Sequence, residues 1–76
     1  MGTRKTDITI GQRAYEELLR ICGVSRGIQL LGCSGKRPYE WREGSTPDAK
    51  YLARLHHMGA DVIYILTGER KENDNR

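Results

Sequence analysis

Basic side chains cluster in the middle of this 76-residue chain, where Lys36, Arg37 and Arg42 lie close together. Arginine and lysine bind phosphate oxygens, and both can donate to the O6 and N7 atoms of guanine in the major groove of DNA. The whole chain carries a formal net charge of +3 at pH 7. This charge suits a polyanionic partner, but it is far below a histone-like excess and does not identify the partner alone.

Residue types that serve catalysis or metal binding occur without the spacing that such chemistry needs. Cys22 and Cys33 form no Cys-x-x-Cys pair, and together with His56 and His57 they lack the usual ligand spacing of a zinc site. On a helix, the neighbouring histidines point about 100° apart. The glycines between positions 23 and 35 match neither the dinucleotide-binding nor the P-loop pattern. We therefore predict a protein that is not an enzyme, binds no metal or cofactor and keeps its thiols free in a reducing compartment.

The length and the polar ends of the chain predict one small domain. Residues 9–68 carry the periodic apolar positions, residues 1–8 are expected to form a flexible arm, and residues 69–76 a disordered polar tail. The arm has no apolar export signal, and the longest apolar run, residues 62–66, is too short to cross a bilayer. We therefore expect a cytoplasmic protein without a membrane partner.

Capping residues and glycines predict where the first two helices begin and end. Thr9 and Gln12 form a capping-box pattern, so the first helix begins there, and Gly23 is placed to end it in a left-handed cap. Ser25 is predicted to cap a short second helix that Gly32 closes. The apolar positions that recur at helical spacing in these two helices are Ile10, Ala14, Leu18, Ile21, Ile28 and Leu31.

Pro38 delays the start of the third helix. If Ser34 were the N-cap, Pro38 would be the fourth helical residue, where its ring opposes the capping carbonyl and its missing N–H breaks a helical hydrogen bond. The favoured solution is a later start, with Arg37 as the cap and Pro38 at the first helical position. This helix is then only about two turns long.

The fourth helix has a strong start signal. Thr46 is its predicted cap, Pro47 suits the first helical position, and Asp48 complements the positive end of the helix dipole. The helix is predicted to run to Met58, and Gly59 to end it. Its predicted inward residues are Leu52, Leu55 and either Tyr51 or Met58.

The fifth helix is short and carries the longest apolar run. Asp61 is predicted to cap it over residues 62–66, with Ile63 and Leu66 in the core. Tyr64 lies off that inward face and is predicted to belong to a dimer interface. A chain of this length gains stability from dimerisation, because its own core is small.

Ile28, Gly32 and Trp41 have the spacing of a helix-turn-helix unit. Such a unit needs an apolar residue in its first helix, a glycine four residues later in the turn, and an apolar anchor near the end of the second helix. Gly32 is predicted to take the left-handed conformation that turns the chain between the helices. Trp41 is predicted to lie in the core.

These residues and those that follow resemble the phage-repressor (XRE-type) helix-turn-helix family over positions 10–70. The matching residues are Gly32, Cys33, Ser34, Trp41, Gly44, Pro47 and the closing stretch DVIYILTG at 61–68. The resemblance implies an all-α fold, a compact five-helix lambda-repressor-like DNA-binding domain. Two positions depart from the family pattern: Pro38 stands where Ile or Val is usual, and Gly27 where a larger apolar residue is usual.

The same resemblance implies a sequence-specific DNA-binding transcriptional regulator, a small phage or mobile-element repressor that acts as a homodimer on an inverted-repeat operator. The residues that it implies face the major groove are Ser34, Lys36, Arg37, Tyr39 and Glu40. The residues expected to contact the DNA backbone are Arg42, Lys50, Ser25 and Arg26. Arg13, Arg20 and the cations of the tail are interpreted as solvated surface charges.

A second hypothesis is a protein-interaction module on a helix-turn-helix scaffold that no longer reads DNA. Pro38 and Gly35 favour it because they shorten the helix and loosen the turn, and the modest net charge favours it too. The cluster of Lys36, Arg37 and Arg42 opposes it. Duplex binding that weakens steeply with salt separates the two hypotheses.

Overall fold

A computed structural model describes residues 8–69 and shows five α-helices and no β-strand within them. The helices are α1 (Ile10–Ile21), α2 (Val24–Leu31), α3 (Arg37–Arg42), α4 (Ala49–His57) and α5 (Val62–Thr67). The predicted all-α class is therefore confirmed. Most of the expected arm at 1–8 and of the expected tail at 69–76 lies outside the described residues. None of the described helices has the length and apolar character needed to span a membrane.

The start of α1 is confirmed, whereas the junction between α1 and α2 differs from the prediction. The N–H of Gln12 donates to Thr9 Oγ1 at 3.0 Å, and the N–H of Thr9 donates to Gln12 Oε1 at 3.1 Å. Gly23 has the expected positive φ of 93°, but its ψ of 165° is extended, and it is the N-cap of α2. The prediction of Ser25 as that cap is wrong. One glycine with positive φ turns the chain between the helices, so α2 begins at Val24.

The late start of α3 is confirmed to within one residue. Lys36 is the N-cap and Arg37 the first helical residue, so Pro38 stands second rather than first. The second position tolerates proline because the N–H groups of the first helical turn have no partner within the helix. The resulting helix has six residues, which is less than two turns.

The predicted start of α4 is wrong by two residues. Asp48 is the N-cap with an extended backbone, and Thr46 and Pro47 belong to a linker outside the helices in which Pro47 is buried. Ser45, which directly precedes this linker, packs on the start of α1, where a Cβ added to Gly11 would lie only 1.9 Å from the carbonyl oxygen of Ser45. This contact with α1 lies directly before a segment that is not helical although its local signals favour helix.

One apolar core is built from all five helices and from Ala60, which precedes α5. Its buried members are Ala14, Leu18, Leu31, Trp41, Tyr51, Leu55, Ala60 and Ile65. The predicted burial of Trp41 is confirmed, at 1% exposure. The prediction for α5 is wrong, because Ile63 and Leu66 are 51% and 47% exposed, and Ile65 is the buried residue.

Two charged side chains of α1 set the rotation of α5 and explain this difference. Arg13 Nε donates to the carbonyl oxygen of Ile65 at 2.9 Å, and Arg13 Nη1 to that of Ile8 at 2.8 Å. At the opposite end of α5, Glu17 Oε1 accepts the N–H of Asp61 at 2.8 Å. The interpretation of Arg13 as a solvated charge is wrong, since it is 9% exposed. Because both ends of α5 are bonded to α1, its apolar pattern alone does not decide which face is buried.

The packing of α1 on α2 explains why position 27 is a glycine rather than a larger apolar residue. A Cβ at this position would lie 2.5 Å from Cδ1 of Leu18, whose side chain on α1 is fully buried. Glycine therefore allows α1 and α2 to approach closely, and a larger apolar residue would force Leu18 to move.

Candidate nucleic-acid interface

The turn between α2 and α3 positions the predicted site. Gly32 ends α2 in the left-handed conformation predicted for it, with φ 69° and ψ 32°, and its N–H donates to the carbonyl oxygen of Ile28. Arg54 of α4 donates through Nη1 to the carbonyl oxygen of Leu31. The free carbonyl at the end of α2 is thus satisfied by α4, which holds the turn in place.

The predicted site residues are exposed, with one exception. The exposed members are Ser25, Arg26, Ser34, Lys36, Tyr39, Glu40, Arg42 and Lys50. Arg37 is half-buried. Ser25 and Arg26 lie at the start of α2, and no hydrogen bond, ion pair or ring contact joins them to the α3 site residues within positions 8–69. The described contacts therefore join residues of α3 and α4 to one another and do not include the pair on α2.

Three cations surround the ring of Tyr51, and we name this group, Tyr51 with Arg37, Lys50 and Arg54, the Tyr51 cluster. Lys50 Nζ lies 5.1 Å from the ring centroid, and the guanidinium carbons of Arg37 and Arg54 lie 5.8 Å and 5.9 Å from it. Such distances allow favourable cation–π contacts. Tyr51 is held in turn by Trp41, whose ring centroid is 6.0 Å away. The buried aromatic pair thus positions cations that come from two helices.

Arg54 was not predicted as a site residue from the sequence. It lies four residues after Lys50, so both project from the same face of α4. That spacing was visible in the sequence. The contact of Arg54 with Leu31 was not, because it joins segments that are far apart in the chain.

A second aromatic group, the Tyr39 cluster, consists of Tyr15, Tyr39 and Arg42. The two rings are 6.1 Å apart, and the guanidinium carbon of Arg42 lies 5.4 Å from the Tyr39 ring and 5.8 Å from the Tyr15 ring. Arg42 Nη2 also lies 3.5 Å from a carboxylate oxygen of Glu43. Tyr15, on α1, was not predicted as part of the site. The cluster fixes the exposed side of α3 against α1.

Arg37 as a whole residue is less exposed than the other predicted site residues. Its Nη1 forms an exposed ion pair with Glu40 at 3.3 Å, a contact of small energy in water. Its Nε is buried and has no hydrogen-bond partner among the described residues. A buried donor of a charged group without a partner is costly. In this conformation the guanidinium carbon of Arg37 lies 5.8 Å from the Tyr51 ring centroid, and 43% of the side chain is exposed.

The thiol of Cys33 lies in the same turn. Burial raises the pKa of Cys33 above its ordinary value, and its backbone hydrogen bond together with the charges of Arg37 and Arg54 lowers it only partly. At neutral pH the group is therefore a neutral thiol. Among the described residues, no three side chains of His, Cys, Asp or Glu come together as a metal site.

An open groove of about 350 Å³ lies beside α3. Its lining residues are Gly35, Lys36, Tyr39, Glu40, Glu43 and Ser45. Carboxylates thus share this surface with the cation of Lys36 and the ring of Tyr39. Acidic and basic groups side by side suit polar recognition of base edges or of a protein better than uniform phosphate binding.

Comparisons with protein-family models, with curated proteins and with solved structures find no match for this chain.

Proposed function

We propose that this protein is a sequence-specific DNA-binding transcriptional regulator of the cytoplasm, with α2 and α3 as a lambda-repressor-like helix-turn-helix. The observation that carries the proposal is the left-handed turn at Gly32 followed by a short helix beside which cations from α3 and α4 gather at Tyr51. Helix-turn-helix proteins place the second helix of the unit in the major groove.

In this proposal the exposed residues form two groups, those that contact bases and those that contact the DNA backbone. Lys36 and Tyr39 reach the bases in this proposal, since Lys36 lies at the exposed start of α3 and Tyr39 is 43% exposed. Ser34, Glu40 and Arg37 lie beside them. The backbone contacts are those of Arg42, Lys50, Ser25 and Arg26. A helix of less than two turns reads few base pairs, which favours a protein that binds two half-sites.

A homodimer through the exposed face of α5 supplies the second half-site. Ile63 and Leu66 are large apolar residues one helical turn apart on the outside of the molecule. The hydroxyl of Tyr64 donates to Glu16 Oε1 at 2.7 Å, so this ring is tied to α1 within the chain. The proposed interface therefore centres on Ile63 and Leu66. A small repressor of a phage or mobile element is the setting we propose.

Selection from a random-duplex pool tests the proposal. An enriched inverted repeat is expected, with affinity that falls steeply as salt rises from low to physiological concentration. A charge-introducing variant, Ile63→Lys, is expected to weaken cooperative binding of both half-sites while a half-site duplex is bound as before. A folded protein that binds no duplex even at low salt would refute the function.

A protein-interaction module remains the second candidate, and one observation favours it. Both arginines of α3 lie beside glutamates, Arg37 at 3.3 Å from Glu40 and Arg42 at 3.5 Å from Glu43. These carboxylates would repel phosphates at a DNA surface. Absence of duplex binding, together with a purified protein partner whose binding is lost in the Tyr39→Ala variant, would support this candidate.

A further inference from the structure

We propose that the Tyr51 cluster is a phosphate-binding site in which Arg37, Lys50 and Arg54 hold one phosphate group. The proposal rests on the proposed function for the source of that phosphate, which is a phosphodiester of the DNA backbone. It adds Arg54, and it assigns three cations to one phosphate rather than to separate contacts.

The geometry supplies the first argument. The three charged groups lie 5.1 Å, 5.8 Å and 5.9 Å from the centroid of one ring. Tyr51 is 7% exposed and Lys50 is exposed, so a buried ring holds cations at the surface. Arg54 uses Nη1 for Leu31 and retains further guanidinium donors for an anion.

The balance of charge supplies the second argument. Among the described residues, the cluster has one ion-paired carboxylate, Glu40, which contacts Arg37 with half of each side chain in solvent. Lys50 and Arg54 form no ion pair within positions 8–69. Three cations near one ring repel each other, and a bound phosphate relieves that repulsion.

The buried Nε of Arg37 supplies the third argument. This donor has no partner among the described residues, although it belongs to a charged group. A rotation of the Arg37 side chain toward a phosphate between Lys50 and Arg54 would expose Nε–H and give it an acceptor. The unbound conformation therefore holds a donor that ligand binding satisfies.

The experiment uses nitrogen-15 NMR of the whole chain with two probes. Inorganic phosphate is titrated against sodium chloride at equal ionic strength, and a random-sequence duplex is titrated separately. We expect phosphate to shift the Nε–H signals of Arg37 and Arg54, and Lys50→Gln to abolish these shifts. Arg26→Gln changes the net charge equally but lies outside the cluster, so it should retain them.

Measurements of duplex affinity then test whether the cations of the Tyr51 cluster bind one and the same phosphate. Lys50→Gln and Arg54→Gln are each expected to weaken binding about tenfold. The double variant should weaken it by less than the product, and its salt slope should fall by about 0.9, the value for one phosphate. Lys50→Gln combined with Arg26→Gln should be additive, because those two residues contact different phosphates.

Each outcome decides the proposal. Shifts no larger than those in chloride, or fully additive effects of Lys50→Gln and Arg54→Gln, would overturn the site even if the duplex is bound tightly. Phosphate binding at the cluster without any duplex binding would support the site and overturn DNA as its source. Because Arg54→Gln also loses the bond to Leu31, Lys50→Gln is the variant that tests the site without altering a hydrogen bond of the fold.

Discussion

The α1–α5 charge network, which comprises Arg13, Glu17 and Arg20, and the Tyr51 cluster both gather charged side chains where helices meet. In the network, Arg13 donates to two carbonyl oxygens, and Glu17 accepts from both Arg20 and the N–H of Asp61. In the Tyr51 cluster, Arg37 keeps a buried donor without a partner within the described residues. Charges that the chain satisfies itself stabilise the fold, whereas charges that it leaves incompletely satisfied are available to a ligand.

The largest effect is expected from breaking the network. Glu17→Ala should lower the free energy of unfolding by about 3 kcal/mol. The substitution removes the carboxylate oxygen that accepts the N–H of Asp61, and it removes the buried carboxylate that pairs with Arg20. Urea denaturation measures this change. The control is Glu16→Ala, whose exposed carboxylate accepts only from Tyr64 among its described hydrogen bonds, and which should cost less than about 1 kcal/mol. Equal losses in the two variants would show that burial of Glu17 does not matter.

The next effect is expected on DNA binding, with stability almost unchanged. Lys36→Gln and Lys50→Gln should each weaken duplex binding about tenfold and change the free energy of unfolding by less than about 0.5 kcal/mol. Lys50→Gln should weaken all sequences alike, whereas Lys36→Gln should also relax the choice of bases. Competition binding on the selected repeat and on a scrambled duplex measures both. If the two variants lose affinity for the selected and the scrambled duplex in the same proportion, the assignment of Lys36 to bases and Lys50 to the backbone is wrong.

A smaller effect is expected at Arg54, which belongs to the Tyr51 cluster and also holds the fold. Arg54→Lys keeps the charge but loses the planar guanidinium that bonds Leu31 while lying near Tyr51. It should lower the free energy of unfolding by about 1 kcal/mol and retain most phosphate binding. Thermal unfolding and the phosphate titration measure the two effects. If the free energy of unfolding does not change, the bond of Arg54 to Leu31 does not stabilise the fold.

The smallest effect concerns Cys33, which lies near both arginines of the Tyr51 cluster. Because burial raises its pKa, alkylation of this thiol should reach half its maximal rate above the pH typical of an exposed cysteine. The unfolded chain ionises first as pH rises, so the contribution of Cys33 to stability is complete below the unfolded pKa and is lost as the pH rises through the folded pKa. Arg54→Gln should move the alkylation profile to still higher pH, since it removes a cation that lowers the pKa. Alkylation of the variant with Cys22 replaced by serine isolates the signal.

Much of the fold was predictable from residues that are close together in the chain. The capping box of Thr9 and Gln12 and the left-handed turn at Gly32 are confirmed because sterics and hydrogen bonds within a few residues decide them. The start of α4 was not predictable in the same way. Ser45, directly before its linker, packs on Gly11, so a contact from the other half of the chain competes with the local signals at Thr46 and Pro47.

The candidate site shows the same division. Exposure of Lys36, Tyr39 and Lys50 agrees with their choice as site residues, although DNA contact by them stays a prediction. Neither the half-buried position of Arg37 nor the role of Arg54 follows from the sequence. Their contacts with Tyr51 depend on the packing of α4 against Trp41, and the bond of Arg54 to Leu31 depends on the packing of α4 against α2.

The sequence by itself determined where the backbone turns and that Pro38 delays α3, because these choices are settled by φ, by ring geometry and by nearby hydrogen bonds. The tertiary structure alone decided which face of α5 is buried and which cations share one aromatic ring. A six-residue helix has too few apolar positions to fix its own rotation, so the bonds of Arg13 and Glu17 to its two ends set it. The tertiary structure also decided which charged side chains find partners within the chain and which stay available to a ligand. Partners that are distant in sequence meet only after the helices pack.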